Sequence, residues 1–205
     1  MNEAERRLVQ LSAAVATRET RHIARALDEA AAGASAAEIE EALLQVHLFL
    51  GYPTALEAMR LWRERGGAGA SPSVRAADDP AEWRARGERV CARVYGRQYA
   101  RLRESVARLH ADLEQWMLVE GYGKVLGRPG LALRVRELCI VAILVVQWAP
   151  RQLYAHLRGA LNAGAAPQEC EEAIALAAAY APQAQAPALE VWSELSARKS
   201  AADRA

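Results

Sequence analysis

The sequence has little phenylalanine, little cysteine and almost no net charge. Of its 205 residues, one is Phe and three are Cys, and the formal net charge is +1. Because the arginines alternate with Glu and Asp, the chain lacks the basic field that nucleic-acid binding requires. The three cysteines are odd in number and far apart, at Cys91, Cys139 and Cys170, which does not suit a disulfide framework. We therefore expect a cytoplasmic protein without a nucleic-acid partner.

Long hydrophobic runs are also missing. The most apolar run, residues 138–149, is shorter than the roughly 18 apolar residues of a membrane-spanning helix. The N-terminal residues include acids and no apolar core of a signal peptide. The histidines His22, His47 and His110 do not form a zinc-ligand pattern. These absences predict no membrane partner and no metal site.

Helix-forming residues dominate what is present. Apolar residues make up 52% and charged residues 25%, and Ala, Leu, Arg and Glu are abundant, which favours an all-α fold. Gly33 is placed to end one helix, and Ser35 with Glu38 forms a capping box that opens the next. The periodicity predicts helices at residues 3–18, 20–32, 35–50, 54–65, 80–95, 98–106, 107–121, 132–148, 150–163, 167–180 and 184–198.

Two glycine-rich stretches divide the predicted helices. Residues 66–79 are read as a linker between an N-terminal helical unit, 1–65, and a C-terminal unit, 80–205. Residues 121–130 form a second predicted break. Gly51 begins a turn after which Thr54 is expected to cap the following helix.

The two ends of the chain resemble each other, which predicts tandem units. Gly33 aligns with Gly164, and the pair Glu40-Glu41 aligns with Glu171-Glu172. Two such helical units would pack against one another to bury their apolar faces. The N-terminal unit is degenerate, because arginines stand near the positions that match Glu137 and His156.

Glu137 and His156 are the polar residues that the apolar pattern explains least. Each lies on a predicted helix that is otherwise rich in apolar residues. A carboxylate and an imidazole are costly to bury unless they pair or take part in chemistry. A core histidine and a carboxylate at a helix start are the structural alternatives. The pair is the candidate catalytic site, carried by the C-terminal unit.

The motif around this pair resembles the carboxymuconolactone decarboxylase family, most closely its gamma-carboxymuconolactone decarboxylase branch. The resemblance is strong over residues 110–180 and weaker over 5–62. It rests on Tyr122, Gly123, Val125, the run Arg128-Pro129-Gly130-Leu131, the run Arg136-Glu137-Leu138, Gln152-Leu153, His156, Ala160 and Gly164.

The resemblance implies an all-α fold like that of alkyl hydroperoxidase D. It also implies a homo-oligomer, a trimer or a dimer-based hexamer, that acts on a small-molecule substrate without a cofactor. The peroxidase branch of the family uses a Cys-x-x-Cys motif before its histidine. Ala149 and Gln152 stand at those positions here, so redox turnover by that route is excluded.

The family's decarboxylation assigns expected roles to several residues. His156 would be the acid/base, since histidine ordinarily titrates near neutrality, and Glu137 would orient it or shuttle the proton. Arg128 and Arg136 would supply positive charge for substrate carboxylates, although Arg128 could instead bind carbonyls at its turn. The expected hydrogen-bond partners of the substrate or of His156 are Tyr122 and Gln152.

Two other functions remain open from the sequence. The chain could be a non-catalytic oligomeric binding or scaffold protein that keeps the fold. It could also be a peroxidase-related protein that uses Cys139, although the sequence supplies no nearby resolving cysteine.

Overall fold

The computed structural model describes residues 1–67 and 79–202, and within these ranges the chain is helical without strands. The expected all-α, alkyl hydroperoxidase D-like class is confirmed. Most of the predicted linker, residues 68–78, lies outside the described residues. The helices are α1 (Glu3–Ala16), α2 (Thr20–Ala31), α3 (Ala36–Gln45), α4 (His47–Glu64), α5 (Pro80–Tyr95), α6 (Tyr99–Leu109), α7 (Ala111–Trp116), a π-helical segment (Met117–Leu126), α8 (Leu133–Val146), α9 (Pro150–Asn162), α10 (Pro167–Ala178) and α11 (Gln185–Ala202).

Local capping signals set several helix starts. The predicted box at α3 is present, because the Ser35 N–H donates to Glu38 Oε2 at 2.9 Å and the Glu38 N–H donates to the Ser35 hydroxyl. At α5 the Asp79 carboxylate accepts the Ala81 N–H at 2.8 Å, and proline fills the first helical position. These short-range contacts need no tertiary structure, so the sequence predicts them well.

The continuous helix predicted at 35–50 and the cap predicted at Thr54 were wrong, whereas the predicted break in the helix at Gly51 is present. The structure separates α3 from α4 at Val46, and Gly51 introduces a kink within α4 at φ +80°. Thr54 does not cap a new helix, because its hydroxyl donates to the Leu50 carbonyl at 3.1 Å. Glycine tolerates this positive φ, so Gly51 is non-helical and α4 consists of two helical segments that meet at a kink there.

The predicted break around Gly121 was also wrong in part, since residues 117–126 form the π-helical segment. α5 packs against this segment almost backbone to backbone. A Cβ at Gly87 would lie 1.9 Å from the Leu118 carbonyl oxygen, and one at Gly123 would lie 2.1 Å from the Trp83 carbonyl oxygen. The glycines in this part of the sequence therefore permit close packing rather than a loop.

Helix α8 is the centre of the core. Residues 135–145 are all buried, and the helix packs against α1, α9 and α10. A helix surrounded on all sides is apolar around its whole circumference, which explains its weak amphipathic pattern. None of the helices in the described ranges is both long and apolar enough to span a membrane.

The two ends of the chain share matched features. Ser35 and Ala166 both donate a backbone N–H to a glutamate three residues later, at 2.9 Å in each case. The indole of Trp62 donates to Glu40, and that of Trp192 donates to Glu171. These matches agree with the predicted resemblance of the ends, while the division into tandem units stays a prediction.

Candidate functional site

His156 and Glu137 are in direct contact. The His156 Nδ1 lies 2.8 Å from Glu137 Oε2. Glu137 is fully buried, and His156 is 7% exposed. Glu137 is the fifth residue of α8, so it lies inside the helix rather than at its cap. The structure thus brings together the two predicted catalytic residues from α8 and α9.

The second oxygen of Glu137 has no protein partner. Glu137 Oε1 is buried and makes no hydrogen bond within the described part of the chain. A buried carboxylate oxygen without a donor is costly, and such groups concentrate at functional sites. This oxygen is therefore open to a substrate group, a water molecule or a proton.

Gly159 lets α9 approach Glu137 closely. A Cβ at Gly159 would lie 2.8 Å from Glu137 Oε2 and 2.7 Å from Val94 Cγ1, too near for any side chain. Gly159 was not among the residues predicted at the site. A glycine inside a predicted helix was the available signal, since such a glycine usually has a packing or functional reason.

The imidazole is held from a second side by an aromatic ring. The Phe49 ring meets His156 edge to face, with the ring centroids 5.6 Å apart. Because the carboxylate accepts at Nδ1, that nitrogen carries the proton in the neutral ring and Nε2 is left for chemistry. Phe49, the only phenylalanine of the chain, was also missed, because it lies far from His156 in sequence.

Two tyrosines lie near the Glu137 charge. The Tyr122 hydroxyl donates to the Tyr95 hydroxyl at 3.3 Å. Burial, with a smaller effect of the Glu137 charge, raises the pKa of Tyr95 to about 12 and that of Tyr122 well above its ordinary value. Both phenols therefore stay protonated and act as donors. Tyr122 was predicted at the site, whereas Tyr95 was not.

The predicted substrate-binding arginines are joined to a glutamate from the N-terminal part. Arg128 Nη2 lies 2.9 Å from Glu41 Oε1, and Arg136 Nη2 lies 2.7 Å from Glu41 Oε2. Arg136 is fully buried and also donates to the Leu131 carbonyl. Burial lowers the pKa of Arg136, against the raising effect of Glu41. The structure places both guanidiniums on Glu41, and their roles toward substrate stay predictions.

Gln152 is exposed at the start of α9, one turn before His156. Residues four apart share a helix face, so Gln152 and His156 lie on the same side of α9. Its side chain makes no hydrogen bond to other described residues and is available to a substrate. The predicted role of Gln152 stays a prediction.

Cys91 and Cys139 are buried, which favours their neutral thiol forms. Burial raises the pKa of Cys139 to about 11 and that of Cys91 to about 12. A thiol attacks peroxide as the thiolate, so these side chains are poor nucleophiles at neutral pH. In residues 1–67 and 79–202, no three His, Cys, Asp or Glu side chains gather as metal ligands would.

Residues 113–194 match the model of the carboxymuconolactone decarboxylase family. Over this segment, which is less than half of the chain, the protein is similar to that family. The matched segment contains both members of the Glu137–His156 pair, whereas Phe49, Tyr95 and Glu41 lie outside it.

A curated relative extends the family comparison. Peroxisomal protein 2 of Schizosaccharomyces pombe is 30% identical over 134 residues, which cover 64% of this chain and 63% of the relative. The chain thus spans less than two thirds of the length of that protein.

Proposed function

We propose that the protein catalyses a cofactor-free proton transfer, a decarboxylation or an isomerisation, on a small carboxylated lactone or carbonyl compound. The observation that carries the proposal is the 2.8 Å contact between His156 Nδ1 and Glu137 Oε2, beside a second carboxylate oxygen that is buried and unpartnered. The similarity of residues 113–194 to the carboxymuconolactone decarboxylase family supports the reaction class. Neither cysteine chemistry nor a metal enters the mechanism.

The pair suits a reaction that passes through an enolate-like anion. Loss of carbon dioxide from a conjugated acid leaves an electron pair on the substrate, which must be protonated at carbon. His156 must first take up a proton from solvent at Nε2; the imidazolium then gives that proton to the carbanion and returns to the neutral ring, while the Glu137 carboxylate accepts from Nδ1–H throughout and stabilises the charged form. Because Tyr95 remains protonated, its hydroxyl can donate to a developing oxyanion without supplying a competing base, while Tyr122 donates to Tyr95 in turn.

Charge near Arg128 supports a carboxylated substrate. Glu41 offsets only one of the two guanidiniums that it contacts, so the cluster of Arg128, Glu41 and Arg136 keeps one net positive charge. The side chain of Arg128 is 24% exposed, whereas that of Arg136 is fully buried. Arg128 is therefore the arginine that can contact a substrate carboxylate, whereas the buried Arg136 can only hold neighbouring groups in place.

The test is carbon dioxide release and product formation from a panel of lactone acids and keto acids. His156→Gln is expected to lower the turnover rate by about 10²–10⁴-fold, the contribution typical of general acid–base catalysis. Glu137→Gln keeps the shape but removes the charge, and it should shift the pH profile as well as the rate. His110→Gln, at an exposed position in the turn before α7, is the matched control. Equal turnover in the parent and in His156→Gln would end the proposal.

A non-catalytic oligomeric binding protein is the second candidate. The engagement of Arg128 and Arg136 by Glu41 favours it, since neither guanidinium is free of a protein partner. Exposed Trp116 on α7 and Leu56 on α4 provide apolar surface for contacts between subunits. Saturable binding of the same acids without turnover, in a trimer or hexamer by sedimentation, would support this function instead.

A further inference from the structure

A cavity of about 440 Å³ lies between the end of α5, the turn into α6, α9 and α11. Tyr154 and Arg158 line it from α9. These residues are four apart and share one helix face, whereas His156 lies between them in sequence and faces the other side. The cavity is therefore separate from the Glu137–His156 pair.

Three guanidiniums border the cavity. They belong to Arg97, Arg158 and Arg198, and the lining residues, all within the described part of the chain, include no Asp or Glu. Arg198 is paired with Glu194 on its own helix, at an exposed position. Arg97 has no ion pair with any described residue. The cavity thus carries an excess of positive charge that the surrounding residues do not offset.

One of these guanidiniums has an unmet hydrogen-bond donor. The Nε of Arg158 is buried, and no described residue accepts a hydrogen bond from it. Native proteins leave few buried donors without an acceptor, so this atom requires one from outside the described chain. An oxyanion is the strongest acceptor for a guanidinium, because its charge assists the hydrogen bond.

The remaining wall is aromatic and apolar. The cavity is lined by the buried ring of Tyr95, the half-buried ring of Tyr154 and the side chain of Leu195. The Arg198 guanidinium lies 5.8 Å from the centroid of the Tyr154 ring. Such a wall packs against a flat or aliphatic body, while the guanidiniums hold a charged end. The volume is within the range of small-molecule sites, roughly 300–1,000 Å³.

We infer that this cavity binds a small organic anion, whose apolar body packs on Tyr95 and Tyr154 and whose carboxylate or phosphate group is held by Arg158. The site goes beyond the proposed reaction, because it lies on the opposite face of α9 from His156 and holds its anion through Arg158; Tyr95 borders both sites. Both groups present the same oxyanion chemistry to arginine.

Calorimetric titration with three related probes tests the site. Benzoate and phenyl phosphate carry the two candidate head groups, and benzyl alcohol is the uncharged control. At least one anion should bind in a saturable manner and more tightly than benzyl alcohol. The anion that binds more tightly identifies the head group. Arg158→Gln should weaken that binding about tenfold or more, the loss of one charge-assisted hydrogen bond.

Arg101→Gln is the matched control, since Arg101 lies exposed on α6 outside the cavity. Its affinity should equal that of the parent. Three results would each overturn the inference: Arg158→Gln binds the anion as tightly as the parent, Arg101→Gln loses as much affinity as Arg158→Gln, or the parent binds neither anion in a saturable manner.

Two further variants keep the test decisive. If circular dichroism shows that Arg158→Gln is unfolded, Arg97→Gln replaces it, with an expected loss of about threefold for an exposed charge. His156→Gln should bind the anion as the parent does. Turnover in His156→Gln equal to that of the parent, or a parent that turns over none of the acids, would refute the proposed reaction and leave the anion site intact as long as the anion still binds.

Discussion

Replacing Glu41 with glutamine should destabilise the protein strongly, because it leaves Arg136 buried and charged without a carboxylate. Arg136 is fully buried, and its Nη2 lies 2.7 Å from Glu41 Oε2. Its other acceptors are carbonyls at 3.2 Å or more, including those of Leu131 and Pro129. Removing one member of a buried ion pair costs about 3–5 kcal/mol. For a chain of this size that is a fall in Tm of roughly 6–20 °C.

Thermal and urea unfolding, followed by circular dichroism, measure this loss. Glu57→Gln is the control, because it breaks an ion pair with Arg60 at an exposed position and should give no measurable loss. The double variant Glu41→Gln with Arg136→Met removes both buried charges and should be more stable than Glu41→Gln alone. The reasoning is wrong if Glu41→Gln loses less than about 1 kcal/mol, or if the two changes are simply additive.

The same variants separate two roles for Arg136. A residue that only supports the fold changes the free energy of unfolding and leaves the KM of the folded fraction unchanged. A residue that binds a substrate carboxylate raises KM with little effect on unfolding. Arg136→Met is expected to follow the first pattern, since its guanidinium is fully buried.

Three other predictions test the site and its surroundings. Gly159→Ala should displace Glu137 and lower the turnover rate by at least about tenfold. Gly121→Ala, which places its Cβ in open space, should keep the parental rate. Equal turnover rates in the two variants would contradict the role of Gly159. The thiol of Cys139, whose pKa burial raises to about 11, should react with Ellman's reagent at pH 8 only after unfolding, and rapid labelling of Cys139 in the native protein would refute its neutrality. Although burial acts to raise the pKa of Glu169, the backbone N–H before α10 and a nearby guanidinium lower it below 4.5. The stabilisation from ionised Glu169 is therefore fully present above pH 4.5 and is lost as the pH falls through the lower pKa of the folded state. Glu169→Gln should remove this pH-dependent part of the free energy of unfolding. Urea titrations in which the variant and the parent lose stability equally toward acid pH would contradict the assignment.

Features set by local sequence could be predicted, and features set by tertiary contacts could not. The box of Ser35 with Glu38 involves neighbours in one turn, and it is present as predicted. The contact between Glu137 and His156 was within reach because two costly polar groups on apolar helices need a partner. By contrast, Glu41 contacts Arg128 from 87 residues away. The residues that neighbour Glu41 and Arg128 in the sequence contain no pattern that predicts this contact.

The glycines show the same division. A glycine-rich stretch near residue 121 resembles a loop when it is read alone, and it becomes a π-helical segment only because α5 lies against it. A Cβ at residue 123 would clash with the carbonyl oxygen of Trp83 in α5, so only glycine fits at this position. Glycine therefore signals either a turn or a close approach, and the choice depends on the packing partner.

Reciprocal ion pairs join the two ends of the chain and support the proposed tandem units. Glu41 of α3 pairs with Arg136 of α8, and Glu172 of α10 pairs with Arg6 of α1. The two arginines are each the fourth residue of their helices, and the two glutamates are each the sixth. The pairs differ in burial, since the side chain of Arg6 is 46% exposed and that of Arg136 is fully buried.

The Glu137–His156 pair breaks this symmetry. Glu137 is the fifth residue of α8 and His156 the seventh of α9, and the residues at these places in α1 and α2 are Arg7 and Ala26. Arg7 is bound by Glu3 and by a backbone carbonyl, so it cannot replace a proton-accepting carboxylate. The described part of the chain therefore carries one Glu–His pair of this kind. In Arg158→Gln, where the anion cavity is impaired, titration with a tight-binding lactone acid analogue should give one site per chain that disappears when His156→Gln is added. A second site in Arg158→Gln would show that the N-terminal unit also binds.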